Sequence, residues 1–329
     1  MIAISHLTKK YGSQTAVDDL TLQIESGKIY GFLGPNGAGK STTMNIITGY
    51  IAATQGTVTI DGYDILKQPE EAKKCIGYLP EVPPLYTDMT VKEYLKFVSD
   101  LKKISKDKKS QYIEEAMELT RITDVKNRLI RNLSKGYRQR VGFAQAVLGY
   151  PKVIILDEPT VGLDPKQIIE IRELIRDLGE RHTVILSSHI LSEVKEICEH
   201  IFIISKGRLV ASDTTENLIA QMSGSQELHL LIKSEAETAV NILKEEGIEP
   251  VSLLPDSSQE GCCRTVLKAE TGGDLREQVF WAFAAAGIPI LEMNMGSKSL
   301  EQIFLELTNQ DIEDLHSKIQ EADKDDSNI

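Results

Sequence analysis

Cysteine and histidine are scarce in this sequence. Its 329 residues include four cysteines and six histidines. The cysteines form no C-x-x-C pair, which argues against a zinc site; they are Cys75, Cys198, Cys262 and Cys263. We expect reduced thiols in a cytosolic protein, and unreactive ones even at the vicinal pair.

Long hydrophobic runs are also missing. The most apolar late stretch, residues 279–293, is too short to span a bilayer and is interrupted by Gly287 and Pro289. Residues 1–12, MIAISHLTKKYG, lack the apolar core of a signal peptide. We therefore expect a soluble protein.

Positive charge is in deficit as well. The chain has 37 Lys and Arg against 49 Asp and Glu, which gives a formal net charge of −12. Nucleic-acid binding draws its affinity mainly from basic patches. We therefore expect no nucleic-acid partner.

The pattern of apolar residues divides the chain into three successive regions. Alternating strands such as GTVTI predominate up to about residue 66, and helical spacing predominates over 70–150, where Thr90 and Glu93 form a predicted capping box. From 150 to 222, continuous apolar runs such as TVILS alternate with helices, which is typical of a buried parallel sheet. The sequence predicts an α/β core with an antiparallel β front and an inserted helical arm.

A glycine-rich loop, GPNGAGKST, follows the strand KIYGFL and opens a helix. This is the G-x-x-x-x-G-K-[ST] phosphate loop in its strand–loop–helix setting. Its backbone N–H groups can surround a β-phosphate, Lys40 can reach the β and γ oxygens, and Ser41 can ligate Mg²⁺. We expect a nucleoside triphosphate to be bound by Gly34, Asn36, Gly37, Ala38, Gly39, Lys40, Ser41 and Thr42.

Acidic residues and a histidine follow two later apolar runs. Asp157, at the end of VIIL, can hold Mg²⁺, and Glu158 can polarise an attacking water. His189 follows the strand TVILSS and can hydrogen-bond the γ-phosphate or the water, or can be a structural histidine. Both alternatives stay open for His189.

A second anion site is predicted at LSKGYRQR. Ser134 is a good N-cap residue, the following helix start favours an anion, and Gly136 permits close approach. Arg138 and Arg140 add positive charge there, and we expect them on a solvated helix face rather than in direct contact with the phosphate.

The order of these motifs resembles the nucleotide-binding subunit of an ATP-binding cassette (ABC) transporter over residues 1–222. The motifs are Tyr11, GPNGAGKST, GYLPE, LSKGYRQR, VIILDEP, VGLD and SSHIL. The resemblance implies ATP and Mg²⁺ as ligands, with Tyr11 stacked on adenine. It also implies a head-to-tail pair of subunits, in which Ser134 and Gly136 of one chain touch the γ-phosphate held by Lys40 of the other.

Two departures from the common family pattern suggest that the chain resembles one particular branch of the family. The signature reads LSKGY where LSGGQ is common, and Glu81 stands where many members have glutamine, near Mg²⁺ and the attacking water. Both features resemble subunits of export-type systems for drugs, lipids, polysaccharides and gliding motility. Leu85, Tyr86 and Phe97 are candidate contacts with the permease, or ordinary core residues.

The remainder of the chain is predicted to form an accessory domain. Residues 224–226 read as a linker, and the elements that follow have the order β-α-β-β-α-β, which is typical of a ferredoxin-like fold. A last helix is expected over 299–308 and a flexible acidic tail over 311–329. The predicted domains are therefore 1–222, with its arm at about 85–150, then 223–310 and the tail.

The sequence favours the ATPase subunit of an exporter. Its predicted partners are a polytopic permease and a second copy or a related subunit, on the inner face of the cell membrane. One alternative is a soluble ABC ATPase that acts on ribosomes or DNA. Two observations argue against it: the chain has a single cassette, and the phosphate loop and the signature are separated only by residues 43–132, which is enough for the helical arm alone. The other is a nucleotide-dependent regulator, against which Glu158 and His189 argue.

Overall fold

The computed structural model describes residues 1–222, 227–256, 259, 261–268, 275–296 and 304. These residues form two compact units, Met1–Thr215 and the described part of Glu216–Gln310. The predicted domain bounds, 1–222 and 223–310, stay a prediction.

The first unit contains ten strands and seven helices longer than one turn within its described residues. In chain order these are β1 (Ile2–Tyr11), β2 (Gln14–Ile24), β3 (Ile29–Leu33), α1 (Lys40–Ile47), β4 (Gln55–Ile60), β5 (Tyr63–Asp64), α2 (Pro69–Lys74), β6 (Ile76–Leu79), α3 (Val91–Leu101), α4 (Lys106–Leu119), α5 (Lys135–Val147), β7 (Val153–Asp157), α6 (Pro165–Gly179), β8 (Thr183–Ser188), α7 (Leu191–Ile197), β9 (His200–Ser205) and β10 (Arg208–Asp213).

Two sheets of different character form the core of this unit. The front sheet is antiparallel, in the order β2-β1-β4-β5. The central sheet has the order β10-β9-β3-β8-β7-β6 and is parallel except for β10. Strands β3, β7 and β8 are buried along their whole length, as their continuous apolar runs predict.

The helical arm consists of α3, α4 and α5. The predicted capping box is present at the start of α3, where Thr90 and Glu93 exchange side-chain and backbone hydrogen bonds. Ser134 caps α5 by accepting a hydrogen bond from the N–H of Tyr137. Helix α6 has Asp164 as its N-cap and Pro165 as its first residue.

The second unit has the predicted β-α-β-β-α-β order. After α8 (Thr215–Met222) come β11 (Glu227–Ile232), α9 (Ala236–Glu245), β12 (Pro250–Pro255), β13 (Cys263–Lys268), α10 (Arg276–Ala285) and β14 (Ile290–Gly296). The sheet is antiparallel in the order β12-β13-β11-β14, which confirms the ferredoxin-like fold. Its core includes Leu228, Val279 and Phe283.

Some predictions fall outside the described residues. They are the linker at 224–226, the helix at 299–308 apart from Phe304, and the acidic tail at 311–329. Within the described residues, no helix combines the length and the apolar content needed to cross a bilayer.

Candidate nucleotide-binding site

The phosphate loop lies between β3 and α1, and its glycines are required by its geometry. Gly37 and Gly39 have φ angles of 83° and 102°, which only glycine adopts readily. A Cβ atom on Gly34 would lie 2.4 Å from the carbonyl oxygen of Ile204, and one on Gly39 would lie 2.4 Å from that of Ala16. The loop is therefore closely surrounded by backbone.

Lys40 is the first residue of α1, and its side chain is buried. Its Nζ donates a hydrogen bond of 2.8 Å to the carbonyl oxygen of Gly34 and lies 3.7 Å from Glu158 Oε1. Burial lowers the pKa of Lys40, and the charges of Glu158 and Asp157 oppose this shift. The ammonium group thus lies within the loop, beside the carboxylates.

Oxygen atoms suited to a hard cation meet at the carboxyl end of β7. Ser41 Oγ donates to Asp157 Oδ1 at 3.3 Å, and Ser187 Oγ donates to the same oxygen at 2.5 Å. The described residues contain no group of three His, Cys, Asp or Glu side chains that could hold a metal ion. Mg²⁺ commonly takes one or two protein oxygens together with phosphate and water, so Ser41 and Asp157 fit it.

Glu158 and His189 contact each other. The Nδ1 of His189 lies 2.9 Å from Glu158 Oε2. The N–H of Glu158 donates to Ser187 Oγ at 3.0 Å, and Glu158 has a φ of 47°, in the left-handed region. The sheet register pairs Asp157 with Ser187, which explains why the ends of β7 and β8 converge here.

A cleft of about 700 Å³ opens beside these groups. Of the predicted residues, the following line it: Tyr11, Asn36, Gly37, Gly39, Lys40, Ser41, Thr42, Glu81, Glu158 and His189. Gly34 and Ala38 are buried in the loop, and Asp157 is buried at the end of β7. Half of Tyr11 is exposed, and the Nζ of Lys9 lies 5.0 Å from the centre of its ring.

Several residues of the cleft were not predicted from the sequence. They are Gln14, Thr15, Ala16, Val161 and Lys206. Ser187, which contacts both Asp157 and Glu158, was also missed. The hydroxyl pair that ends the buried strand TVILSS was the available signal for Ser187.

The signature residues do not line this cleft. Ser134 is exposed at the first turn of α5, and a Cβ atom on the buried Gly136 would lie 2.7 Å from the side chain of Gln167. The prediction of a solvated face is wrong for Arg140, which is buried, donates to the carbonyl oxygen of Thr120 and pairs with Glu170 at 2.5 Å. Helices α4 and α6 cover this part of α5, which periodicity alone does not reveal.

Comparisons with known proteins agree with this geometry. Residues 17–161 match the family model described as ABC transporter. The chain is 36% identical over 309 residues to the bacitracin transport ATP-binding protein BcrA of Bacillus licheniformis, which covers 93% of this chain and 97% of that protein. It is 29% identical over 319 residues to the linearmycin resistance ATP-binding protein LnrL of Bacillus subtilis, and this match covers 95% of this chain and 100% of LnrL.

Solved structures show the same fold for the first part of the chain. The dimeric cassette MJ0796 has a TM-score of 0.59 and 27% identity, and the match covers 65% of this chain and 98% of that one. A post-hydrolysis form of MJ0796 bound to ADP and Pi matches equally well. The chain therefore belongs to the ABC transporter family, as an ATP-binding and ATP-hydrolysing subunit.

Proposed function

We propose that this chain powers the export of a compound through a polytopic membrane permease. The observation that carries this proposal is the similarity to BcrA, which extends across both units of the chain. Two further relatives have names that describe outward transport or resistance, namely LnrL and the lipopolysaccharide export protein LptB of Haemophilus influenzae. Through its permease, the chain would lie on the cytoplasmic face of the membrane.

The chemistry follows from the residues around the phosphate loop. Lys40 binds the β and γ oxygens of ATP, and Tyr11 stacks on adenine. Ser41 and Asp157 would hold Mg²⁺, which would neutralise phosphate charge, and Glu81 lies at the same cleft. Glu158 accepts a proton from the attacking water as general base, while His189, in contact with Glu158, binds the γ-phosphate.

Hydrolysis does work because two copies share each ATP. Ser134 is exposed at the N-terminus of α5, and a helix N-terminus favours an anion, so this helix start can bind the γ-phosphate held by a second copy. The solved MJ0796 cassette is a dimer. Loss of the γ-phosphate removes the bridge between the copies, and the dimer opens.

An apolar groove of about 860 Å³ provides the permease contact. It lies between the central sheet and the helical arm, and its members include Tyr50, Glu81, Val82, Tyr86, Phe97 and Leu101. Tyr86 is 55% exposed although its ring packs 5.2 Å from that of Phe97. Leu85 does not line this groove and is half-buried. Because Glu81 faces both the groove and the ATP cleft, a permease segment seated here adjoins the nucleotide.

Affinity purification of the full-length chain from detergent-solubilised membranes of its native cell tests the proposal. We expect a polytopic permease to be recovered with the natural chain and with Tyr63→Ala, an exposed aromatic of β5 outside the groove, but to be depleted with Tyr86→Ala. Recovery of ribosomes or DNA-bound proteins instead would favour a soluble ABC ATPase. Recovery of no partner, together with negligible ATP turnover, would favour a regulator.

A further inference from the structure

Helix α7 carries a buried carboxyl group that has no role in the site described above. Glu193 is 3% exposed. Its Oε2 accepts a hydrogen bond of 2.6 Å from Thr160 Oγ1 and one of 3.3 Å from Ser188 Oγ. Buried polar groups are costly unless they are hydrogen-bonded, so these two hydroxyls satisfy Glu193.

The two hydroxyls belong to the two segments that carry Glu158 and His189. Thr160 follows Glu158 with one residue between them, and Ser188 directly precedes His189. Glu193 therefore connects the ends of β7 and β8 at a point separate from the direct contact between Glu158 and His189. Both hydrogen bonds of Glu193 therefore go to residues that lie within two positions of Glu158 or His189.

The segment after Glu158 is also held from the helical arm. The Nε2 of Gln139, a buried residue of α5, donates to the carbonyl oxygen of Pro159 at 3.0 Å. Residues 158–160 are thus bound to α5 on one side and to α7 on the other. This leaves the segment little freedom to relax.

The backbone of Glu158 requires such support. Its φ of 47° is uncommon for any residue other than glycine, and such a conformation persists only where the surroundings impose it. Ser187 fixes the N–H of Glu158, and Glu193 fixes Thr160 two residues later. These two hydrogen bonds hold the segment that carries the carboxylate of Glu158.

We propose that Glu193 is a positioning residue for ATP hydrolysis. Its carboxyl group binds Thr160 and Ser188, and thereby sets the relative placement of Glu158 and His189. A misplacement of about 1 Å in a catalytic group can cost on the order of 100-fold in rate. This inference rests on the role of general base proposed for Glu158.

Steady-state ATP hydrolysis by the full-length chain tests it, together with binding of a fluorescent ATP analogue. We expect Glu193→Ala to lower kcat by about tenfold or more while the Kd for the analogue changes by less than about twofold. Glu193→Gln keeps an oxygen acceptor, so it should stay within about threefold of the natural kcat. Lys195→Ala is the control, because Lys195 is an exposed residue of the same helix.

Thr160→Val replaces the hydroxyl by a methyl group of similar size, so it tests the same contact without opening a cavity. We expect it to lower kcat in the same direction as Glu193→Ala, and the double variant to be no slower than the slower single variant, because both substitutions remove the contact between Thr160 and Glu193. Unchanged kcat in both single variants, or effects that multiply, would overturn the proposal.

Glu158→Gln separates this proposal from the one on which it rests. Normal turnover in Glu158→Gln would refute the general-base assignment. Lost turnover there, with normal turnover in Glu193→Ala and Thr160→Val, would refute only the role of Glu193.

Discussion

Replacing Gly39 by alanine should impair ATP binding as well as stability. Gly39 is the N-cap of α1, with a φ of 102°, and an added Cβ would lie 2.4 Å from the carbonyl oxygen of Ala16. A left-handed backbone costs an alanine about 1–2 kcal/mol by itself. The clash adds to this cost, and since its partner is backbone, the phosphate loop has to move.

Gly27→Ala isolates the backbone cost. Gly27 has a φ of 80° and nothing within 4 Å of an added Cβ. At about 2–4 °C per kcal/mol, we expect Gly27→Ala to lower the Tm by about 2–8 °C with unchanged ATP affinity. Gly39→Ala should lower the Tm at least as much and also raise the Kd for ATP about tenfold or more, which is about 1.4 kcal/mol.

Thermal unfolding without nucleotide and titration with a fluorescent ATP analogue measure the two effects separately. Natural ATP affinity in Gly39→Ala, with a Tm equal to that of Gly27→Ala, would refute the reasoning. It would mean that the loop accommodates the Cβ without losing the phosphate geometry.

Two other predictions concern the dimer and pH. In a Glu158→Gln background, Ser134→Arg should bind ATP normally but should not form an ATP-dependent dimer when assayed by size-exclusion chromatography. The control Ser105→Arg, at the N-cap of α4, should still dimerise. Dimers of both variants would contradict the γ-phosphate bridge. Burial lowers the pKa of His182, so its contribution to stability is retained above about pH 6.5 and is lost as the pH falls from there towards the lowered folded pKa. The loss of unfolding free energy between pH 7.5 and pH 5.5 in urea titrations should therefore be smaller in His182→Gln, and equal losses would contradict the buried neutral histidine.

Features encoded within a few residues of one another could be predicted from the sequence. The phosphate loop, the capping box at Thr90 and Glu93, and the N-caps Ser134 and Asp164 all depend on short-range hydrogen bonds or glycine conformations. The continuous apolar runs likewise indicated a buried parallel sheet. In each case the local pattern and the tertiary structure demand the same residue.

Features that depend on pairing between distant segments could not be predicted. Ser187 acquires its role only because the register of β7 and β8 sets it beside Asp157. Glu193 would be expected on a solvated helix surface, yet two hydroxyls from separate segments meet its carboxyl group in the interior. A buried acidic residue that breaks the apolar pattern of its helix persists only where the fold supplies donors, and here those donors adjoin the residues that act on ATP. The positions at which sequence reasoning failed are therefore the ones where polar contacts, and not apolar burial, decide the arrangement of the site.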